Sequence, residues 1–159
     1  MMNIKLSFTH MGTPFDFDIV LEAGVPYRLE IGEAMLCTRV FECLVGLDKN
    51  CVYEHGFDVS RSPSNNVLAL GDKTMFIRGD AYRNVYKALR TRFKRKVAKQ
   101  HAGRIIAEYN PQTPLEVALA RASMRDVKLV VVNRVSGYIG EDDVIAFTKF
   151  NEAYIIEVI

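Results

Sequence analysis

From Ala81 to Ala107 the chain reads AYRNVYKALRTRFKRKVAKQHAGRIIA, a segment with nine Lys or Arg and neither Asp nor Glu. Apolar residues recur at Tyr82, Val85, Tyr86, Leu89, Phe93, Val97, Ala102 and Ile105, mostly three or four apart, so one stripe of a helix faces a core. The cations Arg83, Lys87, Arg90, Arg92, Lys94, Arg95, Lys96, Lys99 and Arg104 fall largely off that stripe and cover its solvent side over several turns. Asp80 is placed to cap the start, where a carboxylate suits the helix dipole, and Asn110-Pro111 ends the helix.

Outside this segment 12 Lys and Arg face all 19 acids, so a chain of net charge +2 is electrically two-faced, with −7 on the remainder. The length of 159 residues and 49% hydrophobic content predict a single globular domain spanning 1–159. Cys37, Cys43 and Cys51 are odd in number and lack CxxC spacing, and no secretory leader opens the sequence, so the expected setting is the reducing cytoplasm. No apolar run approaches the roughly 20 residues needed to cross a bilayer; no membrane is expected as a partner.

Period-two alternation at Ile4, Leu6, Phe8 and again at Phe15, Phe17, Ile19, Leu21 predicts an opening hairpin turning through His10 to Pro14, with Tyr27, Leu29 and Ile31 as a third strand. Leu36, Cys37, Val40, Phe41 and Leu44 have helical spacing between Glu33 and Val45, with Gly46 as the stop. That places Cys37 and Cys43 nearly two turns apart on a buried stripe, as packing residues. Cys51 to Val59 reads as an interrupted strand, and Val67 to Leu70 with Thr74 to Ile77 as a hairpin around Gly71-Asp72-Lys73. Thr113-Pro114-Leu115-Glu116 is a capping box that opens a helix to about Met124. Lys128 to Asn133 is a continuous β-branched run, the pattern of a strand covered on both faces, and Val144 to Phe147 and Ala153 to Val158 close the chain as strands. The expected class is α+β: a mostly antiparallel sheet packed by about three helices, one long and strongly basic.

No metal site is expected, because His10, His55 and His101 are far apart and without ligand spacing. There is no GxxxxGK[ST] phosphate loop, no GxGxxG after a strand and no GxSxG elbow, and no cofactor is expected. Arg28 on a strand, Ser60-Arg61-Ser62 in a loop and Glu141-Asp142-Asp143 before a closing strand follow the order of an arginine, a Ser-x-Ser and a pair of acids. In that order they resemble the scattered signature of ADP-ribosyltransferases. The resemblance implies that Arg28, Ser60 and Ser62 hold a dinucleotide while Asp143 stabilises an oxocarbenium-like ribose as nicotinamide leaves.

The cations set the expected function: a small non-enzymatic protein that engages nucleic acid or a nucleoprotein surface through Arg90, Arg92, Lys94, Arg95, Lys96, Lys99 and Arg104, by neutralising phosphates. Nothing in the segment specifies bases, and Tyr82, Tyr86 and Phe93 have the spacing of core residues. The first alternative is a protein-interaction or assembly subunit, or self-association, in which the basic face meets an acidic surface. The second is a small ADP-ribosyltransferase-like enzyme.

Overall fold

The structure, a computed structural model, describes residues 1–54, 66–71, 80–122, 127–134 and 152–159. The chain divides into two compact units, Met1–Gly71 with Asp126–Ile159, and Asp72–Arg125.

In the first unit, the alternation at the N-terminus folds as β1 (Met2–His10) and β2 (Thr13–Leu21), antiparallel in a register running from Met2 against Leu21 to His10 against Thr13. Met11 and Gly12 both have positive φ, 49° and 80°, the left-handed pair that a two-residue hairpin turn needs. Ile4, Leu6, Ile19 and Leu21 on one face are fully buried. A three-residue strand, β4 (Val52–Glu54), lies antiparallel on the other side of β1 and completes the sheet β2-β1-β4.

The second sheet of this unit is parallel. It runs β3 (Tyr27–Leu29), β7 (Tyr154–Val158), β6 (Leu129–Asn133), β5 (Val67–Leu70) in spatial order. Every residue of β6 is buried, as a strand covered on both faces requires. Helix α1 (Ala34–Leu44) follows β3 and packs against β6, β7 and β1. Its inward residues Val40, Phe41 and Leu44 share one apolar core with Ile4, Leu6, Val131 and Ile156.

The described residues of the second unit form three helices, α2 (Ala81–Arg90), α3 (Arg95–Tyr109) and α4 (Pro114–Ala122). Asp80 caps α2 by accepting from the Arg83 amide at 2.7 Å. The capping box of α4 forms reciprocally, with the Glu116 amide donating to Thr113 Oγ1 and the Thr113 amide to Glu116 Oε2. Val85, Leu89, Ala98, Ala102, Ile105 and Ala120 meet in one small core.

Two expectations about the fold are corrected. The first is the mostly antiparallel sheet, which gives way to one antiparallel and one parallel sheet. The segment Tyr27–Leu29 does not extend the opening hairpin but pairs in parallel with β7, and Val67–Leu70 pairs in parallel with β6. The second is the single long basic helix, which is two helices: the Arg92 and Phe93 amides both return to the Leu89 carbonyl, and Lys94 is extended. Phase explains the break. Leu89 and Ala98 are nine residues apart, about two and a half helical turns, so an unbroken helix would point the buried positions of its two halves in opposite directions. The turn at Thr91–Lys94 lets both stripes face the same core. The residues expected to form the rest of the hairpin at Gly71-Asp72-Lys73, the strands beyond Glu54 and at Val144–Phe147, and the end of the helix at Met124 lie outside the described residues.

Candidate functional site

In a parallel sheet the carboxyl ends of the strands open onto the crevice where ligands bind, and four such ends lie in the first unit. At the end of β3 the chain runs Glu30-Ile31-Gly32-Glu33 into α1. Gly32 has φ 86°, a left-handed turn that a side chain resists. Four backbone donors of this connection are engaged within the chain. The Ile31 and Gly32 amides donate to the Ile159 backbone oxygen at 2.8 and 3.1 Å. The Met35 amide donates to Glu33 Oε1 at 2.9 Å and the Leu36 amide to Glu33 Oε2 at 2.7 Å. Glu33 thus caps its own helix bidentately, placing a carboxylate where the helix dipole favours an anion. Those two amides, chiefly that of Met35, hold its carboxyl below the usual carboxylate range, with a smaller contribution from His10.

At the end of β6 stand Asn133, buried, and Arg134. Arg134 donates to Glu157 Oε1 at 2.7 Å, and Arg28 Nε lies 3.3 Å from Glu157 Oε2. Glu157 is on β7, level with Arg28 of β3 in the strand register, and its side chain is almost fully buried. A buried carboxylate is thus neutralised by an arginine from each side. At the end of β5, Gly71 faces the Phe41 ring and Asn133, and a Cβ there would come within 3.1 Å of the ring.

No family model and no curated protein matches the sequence. Solved structures do match: the dimeric structure of MJ0796, a bacterial ABC transporter cassette, with TM-score 0.61 and 9% identity over 99% of this chain and 88% of that one. A dimeric post-hydrolysis state of the same cassette, bound to ADP and Pi, aligns with TM-score 0.61 and 8% identity over the same shares. The structure of an ATP-binding subunit of an ABC transporter aligns with TM-score 0.63 and 13% identity over 98% and 78%. The chain shares the fold of ABC transporter cassettes.

This fold overturns the expectation of a nucleic-acid-binding protein: the similar structures are ATP-binding cassettes, a nucleotide-binding fold. The expectation failed because a run of cations without acids reports a solvated face and carries no information about the rest of the fold. Arg90, Arg92, Lys94, Arg95, Lys96, Lys99 and Arg104 are indeed exposed, but they are divided among α2, the turn Thr91–Lys94 and α3. Arg90 donates to the Phe93 carbonyl at 2.9 Å, and Arg104 lies 2.7 Å from His101 Nδ1. Of the aromatics among them Tyr82 is exposed, while Tyr86 and Phe93 are half-buried against the helical core. Arg28 joins Glu157; Ser60, Ser62 and Asp143, which share with it the resemblance to ADP-ribosyltransferases, lie outside the described residues.

The similar structures are named for ATP binding and for bound ADP and Pi, and among the described residues the strand ends do not fit a nucleoside triphosphate. Phosphate loops offer unpaired backbone amides, a lysine and a hydroxyl at a helix N-terminus, with a carboxylate at a neighbouring strand end for the metal. Here the amides of Ile31, Gly32, Met35 and Leu36 are engaged, a carboxylate occupies the helix terminus, and β6 ends at Asn133, with Arg134 next. The sequence held two signals for this arrangement: the missing GxxxxGK[ST] and the doubly covered strand at Lys128–Asn133. The pairing of Arg134 with Glu157, 23 residues on, had none.

Cys43 is bonded to Cys51, and Cys37 is a buried free thiol whose ionisation burial pushes up. Among the described residues no helix is long and apolar enough to cross a membrane.

Proposed function

We propose that the protein is a cassette-fold subunit that does not hydrolyse nucleotide and works by associating with a second copy of itself. One observation carries the first half: Glu33 fills the N-terminus of α1 with its own carboxylate, held on the Met35 and Leu36 amides. A phosphate brought to that terminus would meet a fixed like charge and no free donor on those two amides. The second half rests on the dimeric form of the bacterial cassette that the chain resembles and on the charge distribution. The exposed cations from Arg83 to Arg104 supply one side of a complementary contact, and the −7 remainder of a second copy supplies the other. The setting remains the cytoplasm, with the Cys43–Cys51 bond open to the reductants found there.

The test is paired. Titration with a fluorescent ATP analogue and magnesium, together with a phosphate-release assay, is expected to show neither saturable binding below millimolar nor turnover. Sedimentation velocity is expected to show a dimer at low salt that dissociates as salt rises. The variant with Arg92, Arg95, Lys96 and Lys99 all changed to Gln should remain monomeric while keeping its circular dichroism. Micromolar binding of magnesium-ATP, or measurable turnover, overturns the first half. A protein that stays monomeric at all salt concentrations overturns the second.

A further inference from the structure

We propose that Cys43 and Cys51 form a reversible thiol–disulfide site, opened by small dithiols and closed by small disulfides, that fastens the edge strand β4 to helix α1. Cys43 lies in the last turn of α1 and is 1% exposed; Cys51 is half-buried and directly precedes β4. Their sulfurs are bonded across a sequence separation of eight. β4 has three residues and pairs with β1 only from Val52 to Glu54, so the bond is a large part of what fixes its start.

What marks the site as reversible is that other contacts present the two sulfurs to each other. The Leu47 and Asp48 amides both donate to the Glu42 carbonyl, at 2.9 and 3.0 Å, and fold the connection back on α1. The Asp48 carboxylate accepts the Asn50 amide at 2.8 Å and pairs with Arg39. Arg39 in turn donates to the Thr9 carbonyl at 3.2 Å and lies over the Phe8 ring, 5.1 Å from its centroid. Cys51 Sγ sits 3.4 Å from the Asp48 carbonyl, to which a thiol there would donate. Once opened, the two thiols stay within a connection that these bonds hold, and closure needs no search by the chain. Cys37, fully buried, is out of reach of a reagent and leaves the pair without an internal competitor.

Entry is from the Cys51 side, because Cys43 is sealed by the core. One thiolate of a dithiol attacks Cys51 Sγ, the S–S bond breaks, and Cys43 leaves as a thiolate that takes up a proton. The second thiol of the reagent displaces Cys51 from the mixed disulfide. The reagent ends as its cyclic disulfide, and the protein has gained two electrons and two protons.

The test uses the whole protein. After denaturation without reductant one thiol per chain should react with maleimide; after native treatment with dithiothreitol, its removal and then denaturation, all three should. Reduction should lower the melting temperature by about 5–10 °C, the value for a loop of this size in a chain of this length. Removing the dithiothreitol and adding oxidised glutathione should restore both readouts. A variant carrying Cys43→Ser and Cys51→Ser should melt where the reduced protein does and ignore reductant, whereas Cys37→Ala should keep the full response. Should the double variant not fold, the wild-type and Cys37→Ala comparison decides. Three reactive thiols in the untreated protein, a bond that yields only to denaturation, or a melting temperature that reductant does not move each overturns the proposal.

Discussion

Arg134 closes on Glu157 at 2.7 Å across two neighbouring parallel strands, and Arg28 approaches the same carboxylate at 3.3 Å from the other side. The two arginines are not equivalent, because the Arg28 side chain is 63% exposed and that of Arg134 only 19%. Replacing Arg134 with Met leaves a buried carboxylate with one solvated partner, and we expect a loss of about 2–4 kcal/mol in urea unfolding. Arg28→Met, which removes a screened partner, should cost less than about 1 kcal/mol. Equal losses would show that the two pairs are energetically alike and that burial does not govern them.

The cap on α1 has a pH signature. Because the Glu33 carboxyl is held below its unfolded value by the Met35 and Leu36 amides, its contribution is fully present above the usual carboxylate value of 4.5. It is lost as pH falls from there through the folded value. Thermal melts from pH 7 to pH 3 should therefore show a steeper acid loss for the wild type than for Glu33→Gln, the two curves converging at the acid end. Parallel curves would mean that the cap contributes nothing.

Three of the six buried residues of the helical core are alanines: Ala98, Ala102 and Ala120. Ala98 and Ala102 are both fully buried where α3 packs against α2. Ala102→Leu should destabilise this unit by about 1–3 kcal/mol through overpacking. Ala107→Leu, at an exposed position of the same helix, should change stability by less than about 0.5 kcal/mol. Proteolysis restricted to 80–122 in the Ala102 variant, and absent from the Ala107 variant, would locate the effect.

At the end of β5 a Cβ on Gly71 would meet the Phe41 ring at 3.1 and 3.2 Å. Phe41 is itself 4% exposed and held in the core of α1, so it has little room to yield. Gly71→Val should cost about 1–3 kcal/mol, and Gly71→Val combined with Phe41→Leu should recover part of that loss. No recovery in the double variant would place the strain elsewhere.

Local elements were legible from sequence because their signals are local. The alternation of Ile4, Leu6 and Phe8 with the turn at Met11-Gly12 determines β1 and β2, and the spacing of Leu36, Val40 and Leu44 determines α1. Thr113 and Glu116 determine how α4 starts. Even the buried character of Leu129–Asn133 was readable, since a run of Val and Leu without polar alternation has to be covered on both faces. Such a run is itself the mark of a parallel sheet.

What only the tertiary structure decided is pairing. The sequence carries no label that sends Tyr27–Leu29 to β7 instead of to the hairpin beside it, because both partners satisfy the same backbone donors and acceptors. The break at Thr91–Lys94 follows from which faces of α2 and α3 share a core, a relation between residues on different turns that charge and periodicity leave open. Glu33, Glu157 and Cys51 took their roles for the same reason: each is an ordinary residue whose chemistry was set by the donor, cation or sulfur that the fold brought to it. Composition and spacing determine which segments are strands, helices and solvated faces; contacts distant in sequence determine where a carboxylate replaces an anion and where two sulfurs meet.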